Sequence, residues 1–172
     1  TGIPFGAVPA VRDWLGLDEP IEQAAEPHPK RPVEGLRCTR NEVSGQRVWG
    51  WAQSRFGSPE RFFARAFVWS YCPLLFLDAG ARNVPLDKLE RSELRAVYAP
   101  CDAAIQALVA AMRPRVVVGA GRFTALRLEQ ALVGRNVVVG HVMHPSPANA
   151  AANSGWAEHV DERLRALGLE LG

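Results

Sequence analysis

The chain has 172 residues, 48% of them apolar and 22% charged, with a net charge of +2, which is the profile of one soluble globular domain with a core of its own. No apolar run approaches the ~20 residues of a spanning helix. Thr1-Gly2-Ile3-Pro4 carries no basic-then-apolar leader, and Cys38, Cys72 and Cys101 are odd in number without a Cys-x-x-Cys pair. These features argue against a membrane protein, a secreted one, and a zinc or iron–sulfur site, and place the chain in a reducing compartment, cytoplasmic in a bacterium or nuclear in a eukaryote. Of the 20 basic residues 18 are arginine, and from His28 to Arg65 eight basic residues face only Glu34, Glu42 and Glu60. That stretch is expected either to meet a polyanion with modest, salt-sensitive affinity or to be a solvated surface.

In chain order, Ala10 to Leu17 has helical spacing, with Val11, Trp14 and Leu15 on one side, and an acidic irregular loop follows from Asp18 to Pro32. A helix opening at Asn41 or Ser44 would bury Val48, Trp51 and Ala52. Ser58-Pro59-Glu60 is a helix start, with a capping hydroxyl and proline in the first turn. Ala66 to Cys72 reads as an aromatic-rich strand stopped by Pro73. Asp102 to Met112 reads as a helix with Ile105, Leu108, Val109 and Met112 inward. Two fully buried strand patterns, Arg115 to Gly119 and Asn136 to Gly140, flank a helix from Phe123 to Leu132, and a last helix from about Ala157 to Leu167 ends at Gly168. Strands alternating with helices predict an α/β fold with a parallel sheet.

Ligands of such sheets sit outside the carboxyl ends of the strands. Three segments fall there: Ser70 to Pro73, Gly119 to Arg122, and His141 to His144. In His144-Pro145-Ser146-Pro147 two prolines stiffen the backbone around one imidazole, which presents a ring nitrogen at low entropic cost; a structural turn is the competing reading. Asn149, Asn153, Ser154 and Gly155 follow, small donors suited to a backbone phosphate or a helix start. Gly119-x-Gly121 suits a phosphate or a tight turn, and it lacks both the third glycine of a dinucleotide fingerprint and the lysine of a P-loop. His141 and His144 have no nearby carboxylate or thiolate motif to complete a metal site.

Several short blocks, in order, carry a family resemblance: Thr1-Gly2-Ile3-Pro4-Phe5-Gly6, Val11-Arg12-Asp13-Trp14-Leu15-Gly16, His28-Pro29-Lys30-Arg31-Pro32, Glu42-Val43-Ser44-Gly45, Cys72-Pro73-Leu74, Arg82-Asn83, and His144-Pro145-Ser146-Pro147 with Asn149, Asn153, Gly155 and Trp156. Together they resemble the single-strand-selective monofunctional branch of the uracil-DNA glycosylase superfamily. The resemblance implies a single three-layer αβα domain over 1–172 with a central parallel sheet. It also implies a monomeric base-excision-repair hydrolase without cofactor or metal, acting on single-stranded and also on double-stranded DNA. Such an enzyme extrudes uracil, a 5-substituted uracil or a deaminated purine and hydrolyses its N-glycosidic bond.

By the same resemblance, Phe5 stacks on the extruded base and His144 stabilises charge on the uracil carbonyl oxygen. Ser70 stands at the base edge. Ser44, Gly45, Gly121 and Arg122 meet the DNA backbone, and Ser146, Pro147, Asn149 and Asn153 belong to the element that enters the duplex. Three departures accompany the likeness. The asparagine that positions water in the family precedes the position of Thr1, so the first strand is expected to lie in residues before Thr1. Ser70 stands where the family has an asparagine, and one hydroxyl cannot offer the paired donor and acceptor of an amide; Ala148 stands where an arginine is common. The alternative these departures raise is a damaged-DNA-binding relative with weak or no hydrolysis. A phosphate-binding enzyme unrelated to DNA rests on the Gly119 turn alone.

Overall fold

A computed structural model of the chain describes residues 1–22 and 26–170, so three residues of the acidic loop lie outside the described residues. Two parallel strands, β1 (Val116–Ala120) and β2 (Val138–Val142), pair in register from Val116 opposite Val138 to Ala120 opposite Val142. Helix α4 (Arg122–Ala131) connects them, as a parallel pair requires. Both strands lie one or two residues later than their expected spans of 115–119 and 136–140; at β2, Val137 N–H turns back to the Arg135 carbonyl and Val138 N–H is the first to reach Arg115. His141 therefore lies inside β2, and His144 two residues beyond its end.

Side chains alternate across the pair. Val118, Ala120 and Val142 face a core built by α1 (Val43–Phe56), α2 (Pro59–Phe63) and α5 (Trp156–Ala166), whereas Val117, Val137 and Val139 face α3 (Arg91–Met112) and α4 through Ile105, Val109, Leu128 and Leu132. Helices thus cover both faces of a small parallel sheet, an arrangement compatible with an αβα fold. In the larger core Phe62 is edge-on to Trp49, Trp51 and Phe56. Such pairs each add about 0.5–1.5 kcal/mol beyond the area they bury. Ser58 caps α2 by accepting from Arg61 N–H, with Pro59 at its first turn, as its sequence indicates.

Five expectations need correction. Ala66 to Cys72 is extended and keeps a two-residue alternation, with Phe67 and Trp69 about half exposed, but it joins no ladder among the described residues. A strand needs a hydrogen-bonding neighbour as well as a pattern. Helix α3 begins at Arg91, eleven residues before Asp102, with Glu90 and Glu93 forming a reciprocal capping box, and it runs through Pro100. Asp102 does not cap it, because its carboxylate is taken by Tyr71 and Arg127. Met112 is 50% exposed at the end of α3 rather than inward. At the N-terminus, Ala10–Trp14 is a single wide π-type turn, Leu17 is exposed, and Trp49 rather than Trp51 is the fully buried tryptophan of α1.

Candidate active site

The segment after β2 is held from several sides. Pro145 is fully buried, and Arg47 of α1 reaches across to donate to the Pro145 carbonyl at 2.8 Å and to Asn153 Oδ1 at 2.8 Å. Asn153 in turn donates to the Pro147 carbonyl, Asn149 Nδ2 donates to the His144 carbonyl at 3.2 Å, and Trp156 Nε1 donates to Met143 O at 2.9 Å. The asparagines and Ser146 thus first build the loop; Ser146 Oγ accepts from Ala148 N–H. Pro147 is exposed at the loop's outer edge.

His144 is open to solvent on one side and fixed on the other. Ser146 N–H donates to its Nδ1 at 3.0 Å. An amide N–H can only donate, so Nδ1 is the bare nitrogen and, in the neutral ring, Nε2 carries the proton. Desolvation by the surrounding protein pushes the imidazole pKa below its ordinary value, while the charge of Glu42 pulls the other way without prevailing. The result is a neutral imidazole with an outward Nε2–H.

The turn after β1 lies directly against this ring. Gly121 has φ +93°, and a Cβ there would sit 3.2 Å from His144 Cβ, so only glycine fits both the backbone and the space. Its N–H donates to Val142 O at 2.8 Å, which ties the ends of both strands together, and Arg122 opens α4 beside it, exposed.

Phe5, near the chain's start, packs against the first turns of α1. It holds a left-handed backbone, φ +50°, unusual for a bulky side chain and kept in place by Trp49 Nε1 and Ala7 N–H, both donating to its carbonyl at 2.8 Å. That carbonyl presses on Gly45, leaving no room for a Cβ. Gly45 N–H is donated to the Glu42 carboxylate, the same carboxylate whose charge acts on His144. Ser44 and Gly45, expected as backbone-phosphate contacts, are both buried, and the Gly45 amide donates to Glu42. Glu42, which caps α1 through Gly45 N–H, and Arg47, which holds the His144 loop to α1, were not evident as site residues. Their only signal is their position within one turn of Ser44-Gly45.

Ser70 is half-buried in the extended segment, positioned by its neighbour Tyr71, whose hydroxyl donates to Asp102 at 2.6 Å and accepts from Arg127 at 3.0 Å. Its chain neighbour Tyr71 contacts Phe123, the residue after Arg122. Two shallow recesses among the described residues lie elsewhere, and neither is lined by Phe5, Ser70 or His144. His141 Nε2 is buried without a partner, and desolvation followed by the charges of Arg163, His159 and Arg122 lowers its pKa. No group of three metal-ligating side chains occurs among the described residues. Of the basic stretch from His28 to Arg65, Arg31, Arg47 and Arg55 are spent on internal hydrogen bonds.

The whole chain is similar to known glycosylases. It is 44% identical over 171 residues, 98% of its length, to the single-strand selective monofunctional uracil DNA glycosylases of Mus musculus and Bos taurus, and 43% identical over the same extent to that of Rattus norvegicus. It spans 61–63% of the length of these three relatives. No protein-family model matches it. The likeness read from short motifs therefore extends through all of the chain.

Proposed function

We propose that this chain is a three-layer αβα DNA-repair domain of the single-strand-selective uracil-DNA glycosylase type, which takes an extruded damaged base between Phe5 and His144 and hydrolyses its N-glycosidic bond. Extrusion is a physical requirement, because the anomeric carbon of a stacked nucleotide is shielded. As the bond from C1′ to the base nitrogen breaks, its electron pair passes into the ring and gathers on a carbonyl oxygen, while water adds to C1′. The observation that carries the reading is the bond from Ser146 N–H to His144 Nδ1. It aims a protonated Nε2 outward from a neutral ring, a preorganised donor that bonds an anionic oxygen more strongly than a neutral one. Phe5, held in its strained backbone by Trp49, supplies the stacking face. Gly121, Arg122, Pro147 and the 146–153 loop meet the DNA backbone.

The test is incubation of the protein, in full, with single-stranded oligonucleotides carrying uracil, hydroxymethyluracil, hypoxanthine or xanthine, followed by alkaline cleavage of abasic sites. Strand cleavage at uracil or hydroxymethyluracil is the expected result. Tight binding without cleavage at any of the four bases would select the DNA-binding relative instead.

Base choice rests on Ser70. Uracil presents an acceptor and a donor side by side, which an amide matches and a single hydroxyl does not. Ser70→Asn is expected to raise activity on uracil relative to hypoxanthine and xanthine, by a paired contact worth ~1–3 kcal/mol. Ratios of kcat/KM across the four substrates measure it, and an unchanged ratio removes Ser70 from the base edge.

A further inference from the structure

A shallow, open cleft of about 540 Å³ lies between α3 and α4, away from His144, lined by Arg91, Leu94, Arg95, Tyr98, Asp102 and Arg127 among others. Arg91 and Arg95 stand four residues apart on α3 and so share a face, a like-charged spacing that weakens a helix unless an anion relieves it. Two nearby carboxylates are engaged elsewhere: Glu93 accepts from Glu90 N–H at 2.9 Å, and Asp102 binds Tyr71 and Arg127. Arg91 and Arg95 have no ion-pair partner among the described residues. Arg127, neutralised by Asp102, lies over the Tyr98 ring at 4.0 Å, making a flat cation–aromatic stack in the cleft wall.

This cleft adjoins the candidate site. Tyr71 follows Ser70 and bonds both Asp102 and Arg127. Phe123 follows Arg122 and contacts both Tyr71 and Tyr98, with ring centroids 6.4 and 6.2 Å apart. A DNA strand passing the Gly121–Arg122 turn therefore meets, beside an aromatic surface, two arginines that have no ion-pair partner among the described residues.

We propose that the cleft binds an unpaired nucleotide flanking the extruded base in single-stranded DNA, its phosphate on Arg91 and Arg95 and its base on the Tyr98–Arg127 stack. The inference rests on the DNA-glycosylase reading for the identity of the strand. Unpaired bases expose the faces that such a stack needs, whereas a duplex offers only phosphates.

The experiment is fluorescence anisotropy with an undamaged oligodeoxythymidine about 20 nucleotides long and with a duplex of equal length, which requires no catalysis. The double variant Arg91→Gln/Arg95→Gln is expected to bind the single strand about ten-fold more weakly, with the slope of log affinity against log salt reduced by about 1.4, two contacts at ~0.7 each. Tyr98→Leu is expected to weaken single-strand binding about five-fold and to leave the salt slope unchanged. Arg115→Gln/Arg135→Gln, exposed at the opposite ends of the strands, serves as the charge control and is expected to change neither value. Thermal melts verify that each variant is folded. An unchanged slope in the Arg91/Arg95 variant, an equal loss in the control, or an equal loss of duplex affinity in the Tyr98 variant each overturns the proposal. Failure of base excision with these binding results intact would overturn only the glycosylase reading.

Discussion

Replacing His144 by alanine is expected to lower the rate of base release by about two orders of magnitude while DNA affinity stays within about two-fold, the effect of losing one preorganised donor that acts on the transition state. The argument is geometric. Ser146 N–H holds Nδ1 in the acceptor role, so the ring offers exactly one outward proton, on Nε2. Desolvation keeps the ring neutral to a lower pH than an ordinary histidine, so the His144 contribution to the rate should persist as pH falls through about 6.5, the ordinary histidine pKa. Protonation at still lower pH would put a second donor on Nδ1, facing the Ser146 amide, and would break the bond that aims the ring. Single-turnover kinetics over that pH range, together with equilibrium binding to an uncleavable analogue, measure both parts. Equal losses of rate and binding in His144→Ala would make the residue a DNA contact rather than a catalytic one.

The second large effect is on stability. Asp161 of α5 is 5% exposed and ties α5 to α1: it accepts from Trp51 Nε1 at 2.7 Å and from Arg55 Nε at 2.9 Å, and Arg165 of its own helix lies at 3.6 Å. Burial acts to raise its pKa, but the hydrogen bonds from Arg55 and Trp51 and the charges of Arg55 and Arg165 outweigh it and hold the carboxyl below its ordinary value. Asp161→Ala would leave the indole N–H and one guanidinium without their acceptor in the larger core, at a cost of about 3 kcal/mol. Because the folded pKa is depressed, this stabilisation is fully present above the unfolded value near 3.9 and disappears as pH falls from there through the folded pKa. Urea denaturation of both proteins at pH 7 and at about pH 3 is therefore expected to show a wide gap that narrows in acid. A gap of the same width at both values would assign the loss to packing alone.

The anchoring of α5 by Asp161 also matters for the site. Trp156 at the start of α5 holds the Met143 carbonyl, and His159 one turn later accepts from Met143 N–H at 3.3 Å. The residue before His144 is thus fixed at both its backbone groups by the same helix. Loosening α5 is expected to reach the imidazole through Met143.

What the amino-acid sequence determined by itself was local or repeated. The strand patterns at 115–119 and 136–140, the capping hydroxyl at Ser58, the proline-stiffened turn at His144 and the ordered family blocks are all set by residues within a few positions of one another, and the first three appear in the structure within two residues of where they were read. Tertiary structure alone decided what depends on partners distant along the chain. Ala66 to Cys72 has a strand's alternation but joins no ladder among the described residues, because hydrogen-bond pairing belongs to two segments at once. Asp102 is a helix-start residue by type, yet it lies inside α3 because Tyr71, thirty-one residues away, and Arg127, twenty-five away, take its carboxylate. Ser44 and Gly45 look like free small donors, but the Phe5 carbonyl and the Glu42 carboxylate close over Gly45. Arg47 reads as one more surface charge until its guanidinium, 98 residues from Pro145, is seen holding the loop that carries His144. A side chain's chemistry is written in its own residue, and what it is free to do is set by whatever the fold brings against it.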